Sequence, residues 1–256
     1  MNLPLLKIEH LTVAYGSVVA LQDVNLELAG RNLVGVIGPN GAGKSSLLKA
    51  ILAMVPQRGK ITIEGQPINQ ARERIAYVPQ RSDVRWDFPV TVADVVMMGR
   101  YKSIGWVKFA SKRDHQIVAE SLEQVGMTEF RRRQISQLSG GQQQRVFVAR
   151  ALAQQADIML LDEPLSGVDT SSQEVIIGLL NQLRDAGKLI IMATHDLNAA
   201  QECNCCCCIN HRLVAIGTPG QIFQPDILAQ TYGGKLLTVN TGNQRGGVAT
   251  TMIVQQ

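Results

Sequence analysis

Gly38-Pro39-Asn40-Gly41-Ala42-Gly43-Lys44-Ser45 is the stretch on which the reading of this chain turns. It satisfies G-x-x-x-x-G-K-[ST] and sits between an apolar run, Leu33 to Ile37, and a helical pattern from about Lys44 to Met54. Strand, glycine-rich loop and helix in that order are the context in which the pattern carries chemistry. The glycines let the backbone curl until successive N–H groups converge on phosphates, and the amino end of the helix adds a favourable partial charge. In that arrangement Lys44 reaches the β and γ phosphates, and the Ser45 hydroxyl serves Mg²⁺.

Working outward, the apolar run Ile158-Met159-Leu160-Leu161 ends in two carboxylates, Asp162 and Glu163. Strand alternation predicts that they point different ways and take different tasks. Asp162 then holds Mg²⁺ through water, and Glu163 orients the attacking water. Further strands are expected at Leu5 to Leu11, Val18 to Leu28, Gly59 to Glu64, Ile75 to Val78 and Lys188 to Ala193. Strands alternating with helices predict an α/β core with a largely parallel sheet, to which the N-terminal strands add an antiparallel edge. From Thr91 to about Gln134 the apolar spacing becomes helical, as in Val92, Val95, Val96 and Ile117, Leu122, Val125, which predicts a helical subdomain inserted between sheet elements. Gly105 and Trp106 lie between its helices and predict a bend. Ser111 with Asp114, and Ser171 with Glu174, have the spacing of helix-starting caps, and Gly187 stops the second of those helices.

With 256 residues, 45% hydrophobic and 18% charged, the chain has material for one core with a subdomain. We expect a single domain over 1–240, its helical subdomain at about 88–155, and a polar, mobile tail at 241–256. No run reaches the roughly 18 apolar residues of a membrane span, and MNLPLLKIEH is too short and charged for a secretory signal, so a cytoplasmic location is expected. The net charge of +4 is scattered apart from Arg131, Arg132 and Arg133, which argues against a nucleic-acid partner. All five cysteines fall between Cys203 and Cys208, where an apolar strand should lie. That placement favours packing by buried thiols, with CxxC-type redox or metal chemistry as the alternative.

Leu138-Ser139-Gly140-Gly141-Gln142 decides the family. Ser139 and Gln142 have capping-box spacing, and two glycines allow close approach at a helix amino end, which makes a second anion site. The segment resembles the signature of ABC transporter ATP-binding subunits, and the chain is similar to them over nearly its whole length. The implied fold is a P-loop NTPase core of ABC-ATPase type with an antiparallel N-terminal β-subdomain and an inserted helical subdomain. The resemblance implies ATP and Mg²⁺ as cofactors and a head-to-tail homodimer in which the signature completes the partner's ATP site. It further implies that Tyr15 stacks on adenine and that Gln80 joins Mg²⁺ and the attacking water to the membrane partner. The resemblance also implies that Ser166-Gly167-Val168-Asp169 is the loop that crosses the dimer interface, with Asp169 its key carboxylate, and that His195 contacts the γ phosphate. Ser46 stands where the family often has Thr, and Val168 where it often has Leu.

Arg81-Ser82-Asp83-Val84-Arg85-Trp86-Asp87-Phe88-Pro89-Val90-Thr91-Val92 and Met98-Gly99-Arg100-Tyr101 resemble cassettes of bacterial importers for manganese, zinc or iron, with the manganese branch favoured. The implied partners are transmembrane permease subunits and an extracytoplasmic metal-binding protein, with this chain peripheral on the cytoplasmic face of the bacterial plasma membrane. Trp86 and Phe88 are read as anchors for a partner helix or as core aromatics. The less favoured alternative is a soluble ABC ATPase in translation or DNA repair.

Overall fold

Strands with no polar face demand cover on both sides, and that requirement organises the molecule. The computed structural model describes residues 5–84, 86, 88–105 and 107–233, and the backbone of 236–243 and 247–254. Arg85, Asp87 and Trp106, which figured in the readings above, lie outside the described residues.

The strands run in chain order as β1 (Leu6–Tyr15), β2 (Val18–Leu28), β3 (Asn32–Ile37), β4 (Gln57–Ile63), β5 (Gln66–Pro67) and β6 (Ile75–Val78). They continue as β7 (Ile158–Asp162), β8 (Leu189–Ala193), β9 (Cys205–Ile209), β10 (Leu213–Gly217), β11 (Leu236–Asn243) and β12 (Gly247–Val254). A six-stranded sheet has the order β10-β9-β3-β8-β7-β6, parallel throughout except for β10, which pairs antiparallel with β9. Leu33, Ile37, Met159, Leu161, Ile190 and Met192 enter one apolar cluster, together with helices from the second half of the chain. Val34, Val36, Ile158, Leu160, Leu189 and Ile191 enter the other, with the helix Lys44–Ile51 and strands β1, β2 and β4.

The N-terminal strands do not extend the edge of the parallel sheet, as the alternation pattern suggested. They form their own four-stranded sheet, β2-β1-β4-β5, laid across its second face. The reason is in their burial: β1 and β2 alternate buried with exposed residues, so each has one apolar face to cover rather than two. The antiparallel edge of the parallel sheet comes instead from β10.

The helical block begins at the helix Val92–Met97, capped by Thr91 and Asp94, and includes Lys112–Gln124, capped by Ser111 and Asp114 as its spacing predicts. Its entry and exit are tied together: Val92 N donates to Arg133 O at 2.9 Å and Ile135 N to Val90 O at 3.0 Å. Inside it, the buried Arg100 guanidinium bonds Asp114 at 3.1 Å and the Ala153 carbonyl at 2.8 Å, joining three helical stretches. Gly105, at a φ of 81°, ends the short helix Tyr101–Ile104. Trp86 is half-buried, its ring 4.9 Å from that of Phe147, whereas Phe88 is exposed.

Two local readings need correction. The helix from Lys44 ends at Ile51 rather than Met54, because Ala53 turns to a φ of 51°. Ser171 and Glu174 do not cap the helix Thr170–Asp185; Asp169 does, its Oδ1 accepting from Ser172 N at 2.9 Å and from the Ser171 hydroxyl at 2.7 Å. A carboxylate two residues earlier, at the cap position itself, outcompetes the serine, which already lies inside the first turn. Strand β12 pairs with β11 from Leu236↔Val254 to Asn243↔Gly247.

Four of the five cysteines, Cys205 to Cys208, lie in the strand β9, in parallel register with β3 from Val34↔Cys205 to Ile37↔Cys208. Cys206 and Cys208 pack into one cluster and Cys207 into the other. Burial pushes the Cys203 and Cys206 thiols up to about 12, so they stay protonated and fill space. No group of three or more potential metal ligands occurs among the described residues. Cys207→Ser places a hydroxyl where no partner awaits it and should cost about 1–3 kcal/mol in urea unfolding, whereas Cys207→Val should stay within about 1.5 kcal/mol.

Candidate functional site

Parallel strands end together, and four of these ends meet at one cleft. The loop after β3 supplies Asn40 to Ser46, the end of β6 leads to Gln80, β7 ends at Asp162, and β8 leads to His195. Asn40, Gly41, Ala42, Gly43, Lys44, Ser45, Ser46, Gln80, Glu163 and His195 line a cavity of about 470 Å³. A larger cavity of about 730 Å³ lies at the opposite ends of the strands, beside Gly30, Asp157 and Gly187. There Arg74 is already bonded to Asp157 at 2.7 Å and Glu64 at 2.8 Å, so these three charged groups satisfy one another.

The loop geometry follows from its glycines. Gly43 holds a φ of 99°, and a Cβ there would fall 2.6 Å from both the Ala20 carbonyl oxygen and Leu21 Cδ2. It caps the helix Lys44–Ile51 without any side-chain hydrogen bond, which leaves the first-turn amides for another acceptor. Lys44 is buried, and its Nζ donates to Gly38 O at 2.9 Å and Pro39 O at 3.0 Å. Burial lowers its pKa, while Glu163 and Asp162 pull in the opposite sense. Tyr15, exposed, reaches the loop through its hydroxyl, 3.4 Å from Ser46 Oγ.

Across the cleft, Asp162 is almost wholly buried and accepts from the Ser45 hydroxyl at 3.0 Å. Glu163 departs from the alternation expected of it: it has left the strand, with a φ of 47°. That left-handed turn, rather than the pleat, separates the two carboxylates. It sets Glu163 between two groups, with Gln80 Nε2 donating to Oε2 at 3.3 Å and His195 Nδ1 lying 3.3 Å from Oε1. Two participants escaped the sequence reading. The Tyr77 hydroxyl is buried without a hydrogen-bond partner among the described residues, its pKa raised by burial and by nearby Asp162, yet Tyr77-Val78-Pro79-Gln80 was read only for its glutamine. Arg81 follows that glutamine and bonds Gln143 through Nε at 3.2 Å and Nη2 at 3.1 Å, a contact no spacing rule announces.

Ser139, Gly140, Gly141, Gln142 and Asp169 form a second cluster that does not line this cavity. Ser139 and Gln142 make both bonds of the capping box, at 3.3 Å and 3.0 Å, and start the helix Gly140–Ala153. Gly141 abuts the Asp169 carboxylate, and a Cβ there would also lie 2.8 Å from Ser172 Oγ. Hydrogen bonds from Ser171 and Ser172 hold the Asp169 carboxyl down to about 2, so it stays ionised beside the glycine pair.

A glycine-rich loop closing on a lysine, opposed by a buried carboxylate, defines a P-loop nucleotide-binding protein. The family model described as ABC transporter matches residues 21–166. The manganese transport system ATP-binding protein MntB of Halalkalibacterium halodurans is 45% identical over 92% of this chain and 94% of its own length. The zinc transport system ATP-binding protein TroB of Treponema pallidum is 44% identical over 90% of this chain and 87% of its own. Among solved structures, an inward-facing ABC transporter assigned to the metal-chelate type superposes with a TM-score of 0.83 at 26% identity, covering 100% of this chain and 98% of that one. A bacterial ABC transporter cassette solved as a dimer gives 0.73 at 26% identity, covering 84% and 98%. The chain belongs to the ABC transporter family and is one of its ATP-hydrolysing subunits.

Burial raises the Asp162 pKa, opposed by the Ser45 hydrogen bond, and Glu163 adds to the rise. A raised carboxyl pKa means that the folded state holds its proton more tightly than the unfolded chain does. The ionised group therefore destabilises the fold above the raised pKa, and this cost vanishes as pH falls below the unfolded value. Asp162→Asn should raise the melting temperature at pH 7 in buffer free of nucleotide and metal, with the gain shrinking towards the ordinary carboxylate range. An equal or lower melting temperature at pH 7 would show that the Asp162 charge is compensated.

Proposed function

We propose that this chain powers the import of a metal ion, manganese before zinc or an iron chelate, by hydrolysing ATP between two copies of itself. The observation that carries the reading is the division of the machinery. The cavity holding Lys44, Glu163 and His195 lacks the glycine pair at Gly140 and Gly141, which forms an anion cradle of its own elsewhere on the chain. A head-to-tail homodimer joins each cavity to the other copy's cradle, with Asp169 at the seam. The similarity to MntB over 92% of the chain supports the manganese cargo, which transmembrane permease subunits and an extracytoplasmic metal-binding protein would select. No described helix is long and apolar enough to cross a membrane, in keeping with a peripheral subunit on the cytoplasmic face.

The proposed chemistry is orientation and electrostatics. The loop amides from Gly38 to Ser46 and the Lys44 ammonium take up phosphate charge, and Tyr15 stacks on the base. Ser45 Oγ, Asp162 and Gln80 offer hard oxygen donors, the first two 3.0 Å apart, and this set fits Mg²⁺. Bound there, the ion would neutralise charge on the β and γ oxygens. Glu163, held by Gln80 and His195, orients and polarises the attacking water, while His195 also faces the γ phosphate. Ser139, Gly140, Gly141 and Gln142 close over the same phosphate from the other copy.

Glu163→Gln should bind ATP, trap the closed pair and lose turnover by about a hundredfold or more; near-normal turnover would remove Glu163 from its role. Ser139→Arg should abolish hydrolysis in the pair while the separated chain still binds ATP, and full activity would refute a shared site. Vesicles containing the chain with its permease should take up radiolabelled manganese on ATP addition, with zinc and iron as competitors, and Glu163→Gln should abolish that uptake. ATP turnover independent of any membrane partner would favour a soluble ATPase of translation or DNA repair instead.

A further inference from the structure

One face of the helix Gly140–Ala153 and its cap lies along the chain that leads into and out of Gln80. Gln154 Nε2 donates to Ile75 O at 2.8 Å, and Arg150 Nη2 to Tyr77 O at 3.1 Å. The Phe147 ring packs on Trp86, and Gln143 Oε1 accepts both Arg81 bonds. Positions 143, 147, 150 and 154 are spaced by four, three and four, so they share one stripe of the helix. The stripe therefore holds β6 and the Gln80 loop at four successive points. Arg81, held by Gln143, stands at the amino end of the stripe. Its neighbour Gln80 bonds Glu163, its carbonyl accepts from Trp86 Nε1 at 3.0 Å, and its guanidinium lies where a Cβ on Gly140 would approach within 3.0 Å.

We propose that Arg81 is a positioning residue that locks the Gln80 carboxamide and the Ser139–Gly141 cradle into one rigid unit. A planar fork bonded twice to one oxygen resists rotation in a way a single contact does not. When the cradle seats on the partner's nucleotide, the helix carries Gln80 with it, and the hydrogen bond to Glu163 is set in the chain's own cavity. Each copy therefore gears the site it lends to the site it owns. The proposal rests on the roles given above to Gln80 and the cradle.

The test is a double-mutant cycle on steady-state hydrolysis by the full-length chain, with kcat expressed per ATP-competent chain as counted by binding stoichiometry. Arg81→Ala and Gln143→Leu should each lower kcat about tenfold, and the double variant should lose about tenfold rather than about a hundredfold. KM for MgATP should stay within about threefold, because neither side chain lines the cavity. Arg81→Lys should recover part of the loss, since one charged donor still reaches Gln143. A merely structural role would lower the competent fraction and leave kcat per competent chain unchanged. That result, or losses that multiply, would overturn the proposal. Should Arg81→Ala not fold, Arg81→Met keeps the stem against Trp86, removes the donors and completes the same cycle. Turnover by the unaltered chain and its loss in Glu163→Gln judge the roles in the cavity separately.

Discussion

Covering the six-stranded sheet on both faces is the constraint from which the rest follows. A strand buried on two sides can carry no unsatisfied polar side chain along its length, so β3, β7 and β8 are apolar until they run out. Polar chemistry is thereby pushed to the strand ends, and parallel pairing gathers those ends at one edge. Ser45 and Asp162 are 117 residues apart, yet they meet at 3.0 Å because their strands end level. The separate N-terminal sheet serves the same requirement, laying its apolar face on the side that the phosphate-loop helix alone would leave open.

The two glycine-rich segments illustrate how little the backbone needs beyond helix geometry. Both stand at helix starts, yet they are finished differently. Gly43 caps its helix without a side chain, so the amides remain free for an incoming acceptor. Ser139 and Gln142 satisfy part of theirs within the chain, and the adjacent glycines are hemmed by Asp169 on one flank and Arg81 on the other.

What could be read in the sequence was what depends on neighbours in the chain. The phosphate loop, the acidic strand end and the caps at Ser111 and Ser139 are patterns of four to eight residues whose geometry is fixed locally, and they stand where they were expected. Contacts between distant segments left no such trace. Nothing in Arg81 predicts Gln143, and the sheet to which β1 and β2 belong is decided by which face finds cover. Even local rules lost where two candidates competed, as when Asp169 took the cap read at Ser171. Glu163 slipped from the alternation rule because a left-handed turn began one residue sooner than the pattern could tell.

The thiols of β9 carry a consequence of a different kind. They pair with β3, the strand that launches the phosphate loop, and the sulfurs of Cys206, Cys207 and Cys208 are shut within two apolar clusters, while Cys205 is only partly covered. Thiol reagents attack the thiolate, and neither solvent nor a lowered pKa makes one available at Cys206 while the sheet is closed. Alkylation of Cys206, Cys207 and Cys208 therefore proceeds only through opening of the strand, at a rate set by that opening. The chain thus contains its own chemical clock: the speed at which these three buried thiols become labelled measures, without any introduced probe, how often the floor beneath the nucleotide loop comes apart.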